Sequence, residues 1–259
     1  MSWRARYLPS MTAAQIAVLP DRAWAPVIVT TGAIEQHGAH LPVAVDALMG
    51  QVWIERVLEL LPAAVSCYVA PPITIGKSNE HTGFPGTLII SKETLRLQLH
   101  AIARQLNAWG FKQLVILNTH GGNTSVLAYT LREIETIYGL RVTLLKPGAG
   151  LIPGLSPQEA AYGFHAGELE TSWLLASAPQ WVRPELAVCE YPARLDDPGE
   201  LRPEAAPATF AWASQDVSVS GVMGDATAAT AEKGEAWIAQ LAAGYGARIA
   251  ELAFAPLIF

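Results

Sequence analysis

Short apolar runs typical of buried strands alternate along this chain with longer segments of helical periodicity. The run PVIVTT at residues 26–31 precedes a helical pattern at residues 46–61, and the run LVIL at 114–117 precedes another at 124–138. Strands that alternate with helices usually pair in parallel, and the helices cover both faces of their sheet. The alternation therefore predicts an α/β fold with a mainly parallel central sheet.

Capping residues and further apolar runs add detail to this pattern. Ser91 is a candidate N-cap for a helix through Trp109, and Gly110 and Gly139 stand where glycine commonly ends a helix. A further long helix is predicted over residues 227–254, and strands are predicted at residues 67–71, 87–90 and 141–145. Residues 147–164 and 178–222 are rich in proline or glycine, and we expect them to be covering loops.

The composition excludes several classes of protein. Hydrophobic residues make up 51% of the 259 and charged residues 15%, which excludes a disordered chain. The formal net charge is −6, so no basic surplus indicates a nucleic-acid or anionic-membrane partner. No segment has the character of a membrane span or signal peptide, so we expect a cytoplasmic protein. The two cysteines, Cys67 and Cys189, are too few for a disulfide framework, and we expect them to be buried free thiols.

A first polar cluster follows the strand predicted at residues 26–31. It contains Glu35 and His37, which are two residues apart, so their side chains would point to the same side of an extended segment. Asp46 comes next, at the start of a predicted helix. Each feature has a simpler explanation, since the pair could be exposed on a loop and Asp46 could cap the helix.

Two further clusters have similar chemistry and similar alternatives. His120 lies beside Gly121, where the backbone can approach a ligand closely, although the histidine could also bond a carbonyl within a tight turn. His165 precedes Glu168 and Glu170, two acids that the positive end of a helix would favour even without a ligand.

Considered together, the three clusters predict a metal site. Each contributes a histidine, two add carboxylates and none adds a thiolate, which suits zinc, manganese or iron(II). With Asp46 as a bridge, they could hold two ions about 3.5–4 Å apart, an arrangement that activates water against a carbonyl or phosphoryl centre. The sequence has no G-x-S-x-G elbow, nucleophilic cysteine motif, P-loop or dinucleotide fingerprint.

Five segments, in order along the chain, resemble the creatininase (creatinine amidohydrolase) family of metal-dependent amide hydrolases. They span roughly residues 20–255: GAIEQHGAHLPVAVD (32–46), HTGFPGT (81–87), NTHGGN (118–123), HAGELETS (165–172) and GVMGDATAATAEKG (221–234). The resemblance implies a single domain over residues 1–259, with a three-layer α/β/α sandwich. It also implies a homo-oligomer, which is often a hexamer in this family.

The resemblance further implies which residues hold two divalent metal ions. Glu35 and His120 would bind one ion and His37 the other, with Asp46 bridging them. We expect zinc, with manganese or iron as alternatives. No thiolate is needed for any of these metals.

The remaining metal ligand departs from the creatininase pattern. Creatininase has a glutamate two residues after the histidine that matches His120, whereas this chain has Gly122 there. Family members with the H-G-G-N sequence replace that ligand with the first glutamate of the H-A-G-E motif, which favours Glu168 as the ligand and leaves Glu170 as the alternative. With Glu168 as the ligand, Glu170 would orient other groups or stabilise the start of the helix.

Other matched residues are expected to act on the substrate. His165 matches the family histidine that handles the substrate proton, although it could simply bond the backbone at a helix entry. Ser78 matches a substrate-contacting position, and Gly121 is expected to approach the substrate through its backbone. His40 and His81 are assigned supporting roles.

These features predict an enzyme that hydrolyses a cyclic or linear C–N amide bond of a small molecule through metal-activated water. Because Gly122 replaces the creatininase glutamate, we expect a substrate other than creatinine. The main alternative is a non-catalytic protein of the same fold that binds metal or a small molecule. A third possibility is a phosphoryl hydrolase. It is disfavoured because the motifs are not accompanied by a cluster of basic residues that could bind a phosphate group.

Overall fold

Four parallel strands form the central sheet of the computed structural model, which describes residues 3–145, 152–192 and 211–254. The strands are β1 (Pro26–Thr31), β2 (Tyr68–Val69), β3 (Gln113–Asn118) and β4 (Arg141–Leu145), in the order β2-β1-β3-β4. The helices are α1 (Ala13–Ala17), α2 (Val45–Leu60), α3 (Lys92–Ala108), α4 (Thr124–Tyr138), α5 (Pro157–Tyr162), α6 (Glu168–Ser177), α7 (Ser214–Val217) and α8 (Ala231–Phe254). The predicted alternation of strands and helices is confirmed.

Helices cover both faces of the sheet. Successive side chains of a strand point to opposite faces, so each strand contributes to the core on both sides. Val27 and Val29 of β1 pack in the core with residues of α3 and α4. Ile28, between them, packs on the other face with residues of α2, α6 and α8. The fold is the three-layer α/β/α sandwich expected from the sequence.

Local signals fixed the ends of the central helices. The backbone N–H of Thr94 donates to Ser91 Oγ at 3.1 Å, so Ser91 caps α3 as predicted. Gly110 and Gly139 have positive φ angles of 93° and 61°, a conformation that glycine adopts without strain. The ends of α4 and β4 coincide with the predicted ones.

Several predicted elements are shorter than expected. The strand predicted at residues 67–71 is reduced to Tyr68–Val69, and residues 87–90 contribute only a bridge between Leu88 and Ile34. The last helix begins at Ala231 rather than near residue 227, because Asp225 accepts from the Thr227 N–H and holds a separate 3₁₀ turn. Polar side-chain caps interrupted the helical periodicity at that point.

The two predicted covering loops contain regular structure where they are described. The first includes α5, and the second includes α7 and strand β5 (Cys189–Glu190), which pairs antiparallel with β6 (Gly224–Asp225). Residues 147–151 and 193–210 of these loops lie outside the described residues. Cys67 is a buried free thiol as expected, whereas Cys189 is exposed. None of the described helices combines the length and apolarity needed to cross a bilayer.

Candidate metal centre

The candidate site lies where β1 and β3 end, because neighbouring parallel strands finish at the same edge of a sheet. Thr31 and Asn118 are register partners at these ends, and the Thr31 hydroxyl donates to Asn118 Oδ1 at 2.9 Å. The following segments are also tied together, since Asn123 Nδ2 donates to the Gly32 carbonyl at 3.1 Å. These hydrogen bonds hold the first two polar clusters side by side.

Asp46, in the first turn of α2, lies between two histidines at the centre of the site. Its Oδ1 is 3.6 Å from His37 Nε2, and its Oδ2 is 3.3 Å from His120 Nδ1. Glu35 Oε1 lies 3.2 Å from His120 Nδ1, and Glu170 Oε2 lies 3.6 Å from His37 Nε2. The structure thus brings together four residues expected to bind metal, and it adds Glu170 to them.

Several buried polar atoms of this cluster have no hydrogen-bond partner within the described part of the chain. They are Glu35 Oε2, His37 Nε2 and Asp46 Oδ2. An unsatisfied buried polar atom is costly, and a bound cation would satisfy each of these three. Imidazole nitrogens and carboxylate oxygens together are ligands of zinc, manganese and iron(II). The residues therefore fit divalent metal ions.

The second ring nitrogen of each central histidine faces a backbone carbonyl. His37 Nδ1 lies 3.1 Å from the Glu35 carbonyl, and His120 Nε2 lies 3.1 Å from the Lys77 carbonyl. A carbonyl can only accept, so these nitrogens carry protons and donate them. His37 Nε2 and His120 Nδ1 are left for a proton or a metal ion, which is the usual arrangement of a metal-binding histidine.

The charges of the cluster shift its pKa values strongly when no ion is bound. Burial alone would lower the pKa of His37, but the Glu170 and Asp46 carboxylates raise it to about 10. Asp46 and Glu35 likewise raise the pKa of His120 well above its ordinary value despite burial. Burial raises the pKa of Glu170 to about 7, although His37 opposes the shift. Protons therefore occupy this site at neutral pH in the metal-free protein.

We expect the binding of divalent ions to release protons. His37 is protonated below a pKa of about 10 in the metal-free state, so an ion must displace that proton, and its affinity rises with pH between 6 and 9. Calorimetric titration with zinc in buffers of different ionisation enthalpy measures the release, which should be about one proton per ion. An observed enthalpy that is the same in all buffers would contradict this protonation state.

Glu168, the expected ligand, points away from the cluster. Its Oε1 forms an ion pair with Lys233 Nζ at 2.6 Å, and its backbone N–H donates to Glu159 Oε1. Residues two apart on a helix differ by about 200° around its axis, so Glu168 and Glu170 of α6 cannot face the same centre. The carboxylate that faces the cluster is thus not that of Glu168, as expected, but that of Glu170, which faces His37 and whose Oε2 also accepts from the Ala166 N–H at 2.6 Å.

His165 joins the cluster as a neutral imidazole. Its Nε2 donates to the Gln36 carbonyl at 2.8 Å, so its Nδ1 carries the lone pair, 3.8 Å from Glu35 Oε1. Burial, together with the positive charge of His37, lowers the pKa of His165 well below its usual value. The imidazole is therefore uncharged at neutral pH, with the lone pair of Nδ1 beside the carboxylates.

Two other histidines hold the site in place. His81 Nδ1 accepts from Gln36 Nε2 at 2.9 Å, which leaves the proton on Nε2, 3.5 Å from Glu35 Oε1. His40 is fully buried, and its Nε2 lies 2.8 Å from the Thr171 hydroxyl. Burial lowers the pKa of both imidazoles to about 4. These contacts hold both rings in fixed positions, and the supporting roles of His40 and His81 stay predictions.

A cavity of about 490 Å³ opens over the cluster, and only one of the two residues expected to contact substrate lines it. Gly121 lines the cavity, together with the aromatic rings of Phe164 and Trp212. Ser78 is fully buried behind His120, with its Oγ 3.2 Å from His120 Nε2, and it is not among the lining residues. The hydroxyl therefore supports the ring instead of reaching the cavity.

Glu80 is a cavity residue that sequence reasoning missed. It lies on a 3₁₀ turn (Asn79–His81), and its Oε1 is 3.6 Å from His120 Nε2. A Cβ at Gly122 would collide with Glu80 Oε1 and with the Lys77 carbonyl, so this chain has no space there for the creatininase-type glutamate. The turn-rich sequence around Glu80 has no periodicity that could have indicated its direction.

Comparison with known proteins identifies the family. The family model described as creatinine amidohydrolase, or creatininase, matches residues 9–249. The chain belongs to the creatininase family. It is 36% identical over 225 residues to the mycofactocin precursor peptide peptidase of Mycolicibacterium smegmatis, covering 86% of this chain and 83% of the relative.

The chain is also similar to a creatininase in sequence and to a solved creatininase in structure. The chain is 30% identical over 230 residues to the creatinine amidohydrolase of Pseudomonas putida, covering 81% of this chain and 82% of that enzyme. It is 25% identical to the solved structure titled creatininase Mn, with a TM-score of 0.77 and coverage of 97% of this chain and 99% of that one. The α/β fold and the family expected from the sequence are both confirmed.

Proposed function

We propose that this creatininase-family protein hydrolyses a C–N amide bond, cyclic or linear, in a small molecule or a short peptide, with the help of two divalent metal ions. The observation that carries the proposal is Asp46, whose two carboxylate oxygens face His37 and His120 separately. The family and relatives are hydrolases, and the two relatives described above carry names for the cleavage of amide bonds. Creatinine itself is not the proposed substrate, because Gly122 stands where creatininase has a glutamate.

The ligands divide into two sets that share Asp46. Glu35 and His120 would hold one ion, and His37 and Glu170 the other. When bound, such a pair of ions polarises a carbonyl group and lowers the pKa of water, and zinc, manganese or iron(II) could supply this chemistry. All five residues are held in place by the ends of β1 and β3, by α2 and by α6.

His165 is the proposed proton carrier of the reaction. Its Nδ1 accepts a proton from the attacking water and returns it to the leaving nitrogen, which restores the neutral imidazole. The backbone carbonyl of Gln36 accepts a hydrogen bond from His165 Nε2 at 2.8 Å and so fixes the ring, which keeps the lone pair of Nδ1 directed at the carboxylates. General acid–base catalysis of this kind contributes about 10²–10⁴-fold to a rate.

A hydrolysis screen tests the proposal. The zinc- or manganese-loaded protein should hydrolyse at least one member of a panel of lactams, formamides, small cyclic ureides and short peptides, and a chelator should abolish the activity. His165→Ala should lower kcat by about 10²–10⁴-fold while the metal content stays unchanged. Two bound ions without turnover would instead support a binding protein, and turnover of phosphoesters alone would support a phosphoryl hydrolase.

A further inference from the structure

Glu80 places a carboxylate in the cavity that the proposed metal sites do not use. Each proposed ion already has three protein ligands, counting Asp46 for both. Glu80 lies at the other edge of the His120 ring, where Oε1 is 3.6 Å from the proton-bearing Nε2, whereas Glu35 and Asp46 face Nδ1. Ligand atoms of Glu80, Glu35 and His120 also lie within 4.8 Å of one another, but the proposed ion at Glu35 and His120 is completed by Asp46. Under that assignment the Glu80 carboxylate is available to another partner.

The surroundings of Glu80 favour a cation as that partner. Its side chain is 22% exposed, and His120 Nε2 is the only ion-pair contact it makes within the described residues. The described residues that line the cavity include no lysine or arginine. Phe164 and Trp212 line the same cavity, with their ring centroids 5.8 Å apart, and aromatic rings also attract cations.

A substrate that enters the cavity displaces the water that solvates Glu80. An anionic group or an apolar group at this position would leave a desolvated carboxylate without a hydrogen-bond donor, which is strongly unfavourable, and a neutral donor would leave its charge uncompensated. A protonated amine would replace the lost water with a charge-assisted hydrogen bond. Because Glu80 lies beside His120, the group that meets its carboxylate would lie close to the proposed metal ions.

We propose that Glu80 selects substrates that carry a positively charged amine or amidine close to the amide carbonyl that is cleaved. This inference rests on the proposed function, because it places the carbonyl at the metal centre. Glu80 is then a specificity residue that contacts the substrate, and it takes no part in moving the reaction's protons. The substrate class is narrowed from amides in general to cationic amides.

A pair of metal-binding hydroxamates tests the inference on the metal-loaded protein. β-Alanine hydroxamate and 3-hydroxypropanehydroxamate differ only in bearing an ammonium or a hydroxyl group, and calorimetry at pH 7 measures both affinities. We expect the wild-type protein to bind the ammonium compound about 10- to 100-fold more tightly, as for a hydrogen bond to a charged group. In Glu80→Gln the two affinities should agree within about twofold.

Glu59→Gln is the matched control for the loss of one negative charge. Glu59 lies thirteen residues from Asp46 on α2, about 20 Å away along the helix, and its side chain is 65% exposed. This variant should retain the preference for the ammonium compound. High salt should weaken the preference in the wild-type protein, because ionic screening acts on charge pairs.

The contrary outcomes distinguish the role of Glu80 from the proposed function. Equal affinities in the wild-type protein, or an unchanged preference in both Glu80→Gln and Glu80→Ala, would overturn the role of Glu80 while leaving the proposed hydrolase intact. A third bound ion lost only in Glu80→Gln would make Glu80 a metal ligand and also overturn the inference. Failure to bind either hydroxamate would overturn it as well, and metal analysis showing no tightly held ions would separately overturn the proposed function.

Discussion

Asp46→Asn should abolish the binding of both metal ions and the amide hydrolysis together. Each Asp46 oxygen faces a different histidine, at 3.6 and 3.3 Å, and the amide replaces one acceptor by an N–H₂ donor that repels a cation. Loss of an outer-shell partner already weakens metal binding by about 10–100-fold, so loss of a shared ligand should exceed that for both ions. Metal analysis after gel filtration, together with kcat/KM, measures the effect, and we expect a loss of activity of at least about 10³-fold.

Asp21→Asn is the control for replacing a buried aspartate. Asp21 accepts a hydrogen bond from the Tyr68 hydroxyl at 2.8 Å in a different part of the core, so its replacement should lower the free energy of unfolding and leave the metal content unchanged. Retention of two ions by Asp46→Asn would remove Asp46 from the ligands. Loss of a single ion would leave it as a ligand of that ion and overturn the bridge.

The sequence predicted most of the fold and four members of the cluster because the signals for both are local. Ser91 and Gly139 set helix ends through their own side-chain and backbone chemistry. Glu35 and His120 follow apolar strands directly, so they had to meet wherever those strands paired. Each cluster can be recognised within its own segment, and the pairing of β1 with β3 brings the two segments together.

The members that the sequence missed depend on contacts between distant segments. Whether Glu168 or Glu170 faces the centre is decided by how α6 is rotated, and Lys233, 65 positions further along the chain, holds the Glu168 carboxylate on the other side. Ser78 and Glu80 are two residues apart in a turn without periodicity, yet one is buried behind His120 and the other lines the cavity. Tertiary packing fixed those directions, and no pattern within the segment encoded them.

Glu170→Gln should remove one metal ion, whereas Glu168→Gln should remove none. Glu170 Oε2 lies 3.6 Å from His37 Nε2, so the amide would weaken the ion on the His37 side by about 100-fold or more, beyond the effect of an outer-shell partner. Glu168 faces Lys233 instead, so Glu168→Gln should lower the free energy of unfolding by about 1–2 kcal/mol through the weakened hydrogen bond. Metal analysis and urea unfolding of the two variants separate these effects.

The two variants control for each other, since both remove one negative charge from the first turn of the same helix. Any loss caused by the helix dipole or by the net charge would appear equally in both, because the dipole acts over the whole first turn. Loss of an ion from Glu168→Gln alone would restore the assignment suggested by the H-A-G-E motif. It would also require α6 to rotate on metal binding, because the Lys233 ion pair would have to break to free the Glu168 carboxylate.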